Sequence, residues 1–144
     1  MDVPFILDDA GAQLPTAAHD GDAGLDLRSI EDVEIPPGGR RLVKTGLRVA
    51  IPAGCAGLVV PRSGLALNHG ISVLNTPGLI DAPFRGPVGV ILHNTDGQTA
   101  FAVRRGDRIA QLVIVSLPDI RPVRAERLDE TGRGEGGFGS SGIN

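Results

Sequence analysis

Alternation is the dominant pattern along this chain. In LRVAI, residues 47–51, Leu47, Val49 and Ile51 fall on one face, and in VGVIL, residues 88–92, Val88, Val90 and Leu92 repeat the arrangement. A period of two is the signature of a half-buried strand. IAQLVIV, residues 109–115, is apolar on both faces apart from Gln111, which predicts a strand buried between layers. Turn signals punctuate these runs at Pro37-Gly38, Pro77-Gly78 and Asp96-Gly97. Helical turns are predicted only near SGLALNHG, residues 63–70, a piece too short to be stable by itself. No internal repeat or interdomain linker interrupts the pattern, so it predicts one all-β domain, a sandwich or barrel of roughly eight to eleven strands.

Composition agrees with many short elements. The 144 residues include 21 Gly and 11 Pro with 41% hydrophobic residues, and neither Gly nor Pro is tolerated inside long helices. A net charge of −3 with interspersed signs leaves no basic stripe, which argues against nucleic acid as a partner. One cysteine, Cys55, rules out an internal disulfide and the usual thiolate zinc frameworks; a small buried hydrophobe is its expected role. The N-terminus MDVPFILDDAG has no basic region, and no run approaches membrane-spanning length, so a soluble, cytoplasmic protein with no membrane partner is expected. His19, His69 and His93 are too far apart in sequence to form a recognisable metal motif.

The last twelve residues break the pattern. RGEGGFGSSGIN, residues 133–144, is too rich in Gly to be a core element, yet it carries one of only four Phe in a chain without Tyr or Trp. One reading is a loose terminus. The other is a mobile cover in which Arg133, Ser140 and Ser141 offer donors to phosphate oxygens while Phe138 stacks on something flat. The segment does not match the P-loop pattern. Residues 1–132 are therefore expected to form the β domain and residues 133–144 a flexible arm.

Four more polar segments interrupt the strands. HDGDAGLDL, residues 19–27, fails as a calcium loop because Gly24 and Leu25 stand where a ligand and a Gly are needed; Asp26, between Leu25 and Leu27, is the acid expected to be held in place. PRSGLA, residues 61–66, offers a guanidinium at Arg62, a hydroxyl at Ser63 and close backbone approach at Gly64, a combination that suits an anion. In NTPGLIDAPFRG, residues 75–86, Asp81 follows Leu79 and Ile80; it is either a solvated turn acid or a carboxylate whose partial desolvation suits a general base. In RGDRIAQL, residues 105–112, Gln111 lies among apolar residues and needs a hydrogen-bond partner, a neighbouring backbone or a ligand.

In type, order and spacing these segments together resemble the five motifs of the trimeric deoxyuridine triphosphatase family: DAGLDL, PRSGLA, GLIDAPFRG, RGDRIAQL and RGEGGFGSSG. The resemblance covers nearly the whole chain. It implies a distorted jelly-roll-like homotrimer whose active sites lie at subunit junctions, each closed by a neighbour's C-terminal arm. It also implies Mg²⁺-dependent hydrolysis of dUTP to dUMP and pyrophosphate, which keeps uracil out of DNA and supplies dUMP for thymidylate synthesis. By that resemblance Asp81 activates the water that attacks the α-phosphorus, and Asp26 holds metal-bound waters. Arg62, Ser63, Gly64 and Gln111 match phosphate contacts; Asn75, Gly78 and Ile80 match the hairpin that meets the uracil edge and sugar. Arg133, Phe138, Gly139 and Ser140 match the closing arm, with Phe138 stacked on the base.

Two departures stand out. Phe84 occupies a position where family members often carry Tyr, the aromatic wall that leaves no room for a 2′-hydroxyl, and Phe keeps that wall. Pro83 and Pro87 flank it where other residues are common. Two alternatives differ in chemistry. A dCTP deaminase of the same superfamily carries a glutamate on the strand after the third motif, where this chain has Ile91 within VILHN, residues 90–94. A non-catalytic nucleotide-binding relative would have no need of a water activator at Asp81.

Overall fold

The computed structural model describes residues 1–137 and 140. Ten strands and one short helix follow in chain order: β1 (Phe5–Leu7), β2 (Leu25–Arg28), β3 (Val33–Ile35), β4 (Arg40–Val49), β5 (Cys55–Val60), α1 (Ser63–His69), β6 (Ile71–Val73), β7 (Gly78–Asp81), β8 (Val88–Asn94), β9 (Phe101–Val103) and β10 (Arg108–Ser116). All strand pairings are antiparallel, in two four-stranded sheets ordered β1-β4-β8-β6 and β2-β10-β5-β7, with β3 and β9 as a separate pair. The expectation of an all-β architecture holds, and the one helix falls where helical turns were expected.

The alternating runs bury the faces expected of them. Leu47, Val49 and Ile51 are buried, as are Val88, Val90 and Leu92, and they meet Leu27, Val59, Ile80, Ala110 and Leu112 from the second sheet in one core. Interdigitated aliphatic side chains of this kind bind the sheets into a sandwich. Packing at Gly57 is tight, since a Cβ there would stand 3.0 Å from Ile51 Cδ1 and 3.2 Å from Leu112 Cδ1. Cys55 is buried and unpaired, as expected of a small hydrophobe.

Burial of polar groups is matched by hydrogen bonding, as the cost of an orphaned donor requires. Thr45 Oγ1 donates to the Val88 carbonyl at 2.6 Å, at the irregularity where Gly46 takes φ +68° and the β4–β8 register shifts. Asn94, fully buried, donates from Nδ2 to the Thr99 carbonyl at 2.8 Å and accepts from the Asp96 N–H at 3.0 Å. Among the described residues no helix is long and apolar enough to cross a membrane.

Beyond β10 the character changes. Residues 117–130 carry no helix or strand and are exposed, and Leu117, Ile120, Val123 and Leu128 all present apolar side chains to solvent. Such a run belongs to neither sheet.

Candidate active site

The residues singled out in the sequence collect into two groups on the sheet β2-β10-β5-β7. The first lies at the β2 edge. Asp26 is 4% exposed, yet it points to the face opposite the core residue Leu27. Both of its oxygens are engaged: Arg62 Nε donates to Oδ1 at 3.0 Å and Arg108 Nη1 donates to Oδ2 at 3.1 Å. Arg62 Nη1 also reaches the Arg108 carbonyl at 3.4 Å. A buried carboxylate without such partners would carry a large desolvation penalty, so the two guanidinium groups are what keep Asp26 in place. One negative charge against two positive ones leaves an excess of positive charge beside the turn into α1, a setting that favours a polyphosphate.

Arg62 takes extended backbone (φ −90°, ψ 126°) immediately before α1, and Ser63 and Gly64 form the exposed first turn. A Cβ on Gly64 would meet nothing within 4 Å, so its backbone is open to close approach. Gln111 pairs with Asp26 on one side and Val60 on the other. Its side chain lies against Gly24, where a Cβ would stand 3.1 Å from Gln111 Cδ.

Arg108 is the member of this group that sequence reasoning missed. It lies three residues before Gln111, which in a regular strand puts the two on opposite faces. The register shift between Arg108 and Ala110 places one extra residue there and returns Arg108 to the face of Asp26. The only available signal was its presence in RGDRIAQL.

The second group surrounds the turn between β6 and β7 and the start of β8. Asn75, Gly78, Ile80 and Phe84 line one cavity of about 140 Å³, with Val59, Val73, Pro87 and Ile91 completing much of the wall. Gly78 leaves room for the amide, since a Cβ there would be 3.4 Å from Asn75 Nδ2. Phe84 is 42% exposed and leans over Gly86. Asp81 ends β7, exposed beside this cavity, in register with Ala56 of β5. The residues lining the cavity include no carboxylate, and Ile91 contributes an apolar side chain where a deaminase would need an acid.

Asp81 shares a face with the first group but not a place. Asp26, Gln111, Val60, Ala56 and Asp81 all point to the side of the sheet away from the core, as their register requires. From the Gln111–Val60 pair to the Ala56–Asp81 pair is four residues along β5, and β2 to β7 is three strand spacings, roughly 14 Å in each direction and about 20 Å on the diagonal. No single phosphate group spans that distance.

Of the arm residues singled out, the described ones, Arg133 and Ser140, join neither group. Arg133 Nε donates to the Gly136 carbonyl at 2.8 Å, and the Ser140 N–H donates to the Gly137 carbonyl at 2.9 Å, both within the arm. Phe138 and Gly139 lie outside the described residues. Among the described residues no cluster of three His, Cys, Asp or Glu side chains could hold a metal ion directly.

Comparison with known proteins points to one family. The profile of the dUTPase family matches residues 10–142. The deoxyuridine 5'-triphosphate nucleotidohydrolase of Nocardia farcinica is 53% identical over 140 residues, covering 97% of this chain and 85% of that protein. That of Mycobacterium marinum is 54% identical over 139 residues, covering 93% and 90%. Among solved structures, the Staphylococcus bacteriophage 80alpha dUTPase with dUpNHpp superposes with a TM-score of 0.90 at 30% identity, covering 99% of both chains. A variant dUTPase from phage phi11 of S. aureus, described as revealing the coordination of a structural Mg(II) ion, gives a TM-score of 0.82 at 27% identity, covering 88% of this chain and 98% of that one.

Proposed function

The chain belongs to the dUTPase family, and from that premise we propose that each active site is assembled from more than one copy of the chain, in a homotrimer. The reaction is hydrolysis of dUTP to dUMP and pyrophosphate. One observation supports the sharing above all. A general base must come within about 2.6–3.2 Å of the proton it takes, yet Asp81 is about 20 Å from the Asp26 and Arg62 group on its own chain. Asp81 of one copy therefore faces Asp26, Arg62 and Gln111 of another.

In this reading the cavity at the β6–β7 turn receives the base and sugar. Asn75 offers an amide to the uracil edge, the backbone at Gly78 and Ile80 lies alongside, and Phe84 closes the sugar side. Asp81 orients a water in line with the α-phosphorus and accepts its proton as pyrophosphate leaves. Arg62, Ser63, Gly64 and Gln111 bind the phosphates. Positioning and charge neutralisation are most of what phosphoryl transfer asks of a protein. The arm, residues 133–144, closes over the nucleotide, with Arg133, Gly139 and Ser140 toward the terminal phosphate and Phe138 over the base.

Mg²⁺ fits this donor set only through water. A lone carboxylate whose oxygens each already accept one hydrogen bond still has lone pairs free, which suits a metal that keeps several waters and takes its other ligands from phosphate. When bound, the ion would neutralise phosphate charge, with Asp26 holding its waters. The decisive assay is pyrophosphate release from dUTP beside dCTP, dTTP and UTP, with and without Mg²⁺. Turnover confined to dUTP and dependent on Mg²⁺ is expected; ammonia release from dCTP, or no cleavage of dUTP, overturns the reading.

A further inference from the structure

The turn that leaves β7 carries both Asp81 and Phe84, and its backbone crosslink is the Phe84 N–H bonded to the Asp81 carbonyl at 3.0 Å. Pro83 is the third residue of that turn. It has no N–H to contribute and drives Ala82 away from the αR conformation that the commonest turn uses. Such a turn cannot settle into the commonest type and needs other contacts to hold its crosslink. Arg85 supplies further crosslinks, since its Nη1 donates to the Ala82 carbonyl at 2.6 Å and to the Phe84 carbonyl at 2.7 Å. The two carbonyls lie on either side of Pro83, so one guanidinium nitrogen ties the turn across the proline.

The surroundings hold the ring and the clamp together. Phe84 is folded so closely over Gly86 that a Cβ there would stand 2.6 Å from Cζ and 2.9 Å from Cε2. On its other side Arg85 borders a largely aliphatic hollow formed with Pro4, Ile6, Val49 and Ala50. The depth at which the ring enters the nucleotide cavity is thus set by contacts outside that cavity.

We propose that Arg85 is a positioning residue for sugar selection: by joining the Ala82 and Phe84 carbonyls it fixes the Phe84 ring at the depth that admits a 2′-deoxyribose and excludes a 2′-hydroxyl. The inference rests on the reading of Phe84 as the sugar wall. A hydroxyl needs little space, and a displacement of about 1 Å is enough to change rates by orders of magnitude.

The experiment compares kcat/KM for dUTP and UTP in the wild type, Arg85→Met, Arg85→Lys and Phe84→Ala, with Tm measured alongside. Met keeps an unbranched stem over the aliphatic hollow and removes every donor. Arg85→Met is expected to lower the dUTP-to-UTP ratio by about tenfold, the equivalent of one charge-assisted hydrogen bond, and Arg85→Lys to recover part of it. A merely structural role would depress both nucleotides alike and leave the ratio unchanged, which would overturn the inference. Phe84→Ala separates the two layers of reasoning. If it relaxes selectivity while Arg85→Met does not, the role of Arg85 fails alone; if it leaves selectivity intact, the sugar wall fails and this inference with it. Should Arg85→Met not fold, Arg85→Gln, which retains one amide donor, carries the same test with an expected change of about threefold.

Discussion

Two inactive versions of this protein are expected to restore each other. The first perturbation, Asp81→Asn, removes the water activator and is expected to lower kcat at least about a hundredfold. The second, Arg62→Gln, removes a guanidinium from the phosphate group and is expected to cost about ten- to a hundredfold, the range of one charge-assisted hydrogen bond. On one chain these residues belong to groups about 20 Å apart, so in the proposed arrangement no site draws both from the same copy. If equal amounts of the two variants are unfolded together and refolded as mixed trimers, each site draws Asp81 and Arg62 from independently chosen chains. About one quarter of the sites then receive both intact residues, and about one quarter of wild-type activity is expected. Were each site built from a single chain, the mixture would show only the mean of the two variants, at most about 5% of wild type. Pyrophosphate release by the refolded mixture, beside each variant refolded alone, reads the difference directly. Activity at the mean of the single variants would refute the shared site and, with it, the placement of Asp81 opposite another chain's Asp26.

Deleting residues 133–144 is expected to cut dUTP turnover while leaving the trimer intact by sedimentation; unchanged kinetics would make the arm dispensable. Gly24→Ala would press on Gln111, where a Cβ lies 3.1–3.2 Å from three of its atoms, so KM for dUTP is expected to rise several-fold with little change in Tm. Asp96 accepts hydrogen bonds from the Gln98 N–H at 2.8 Å and the Thr99 N–H at 3.1 Å, and these hold its carboxyl below its ordinary pKa. A depressed folded pKa stabilises the protein above the unfolded value and loses that contribution as pH falls through the folded one. Asp96→Asn is therefore expected to lower Tm at neutral pH, with the difference narrowing below about pH 4; a constant difference would contradict it.

How much of this was legible in the sequence differs between faces and distances. Alternation in LRVAI and VGVIL identified the buried face of two strands correctly because a period of two leaves little choice once one side must be apolar. The hairpin residues Asn75, Gly78, Ile80 and Phe84 were singled out through the family resemblance, and because they are close in the chain they line one cavity. Arg108 was not. Its place beside Asp26 depends on a one-residue irregularity in β10, and a strand bulge leaves no residue type that announces it. Arg85 was missed for another reason: it acts through backbone carbonyls, and a carbonyl has no letter in a sequence.

The separation of the two groups follows from the order of strands. Because β10 and β5 stand between β2 and β7, Asp26 and Asp81, the proposed metal-side and water-activating acids, are held on opposite edges of one sheet. A rigid sheet cannot bring its own edges together, whereas a second copy can lay one edge against the other. The exposed side chains of Leu117, Ile120, Val123 and Leu128 in the run from Leu117 to Leu128 point the same way, since they find no cover among the described residues. If association both completes the site and buries that run, dilution should remove activity and stability together. Loss of turnover on dilution is therefore expected to track loss of thermal stability over the same concentration range, and full activity of a monomer would be incompatible with the strand order described.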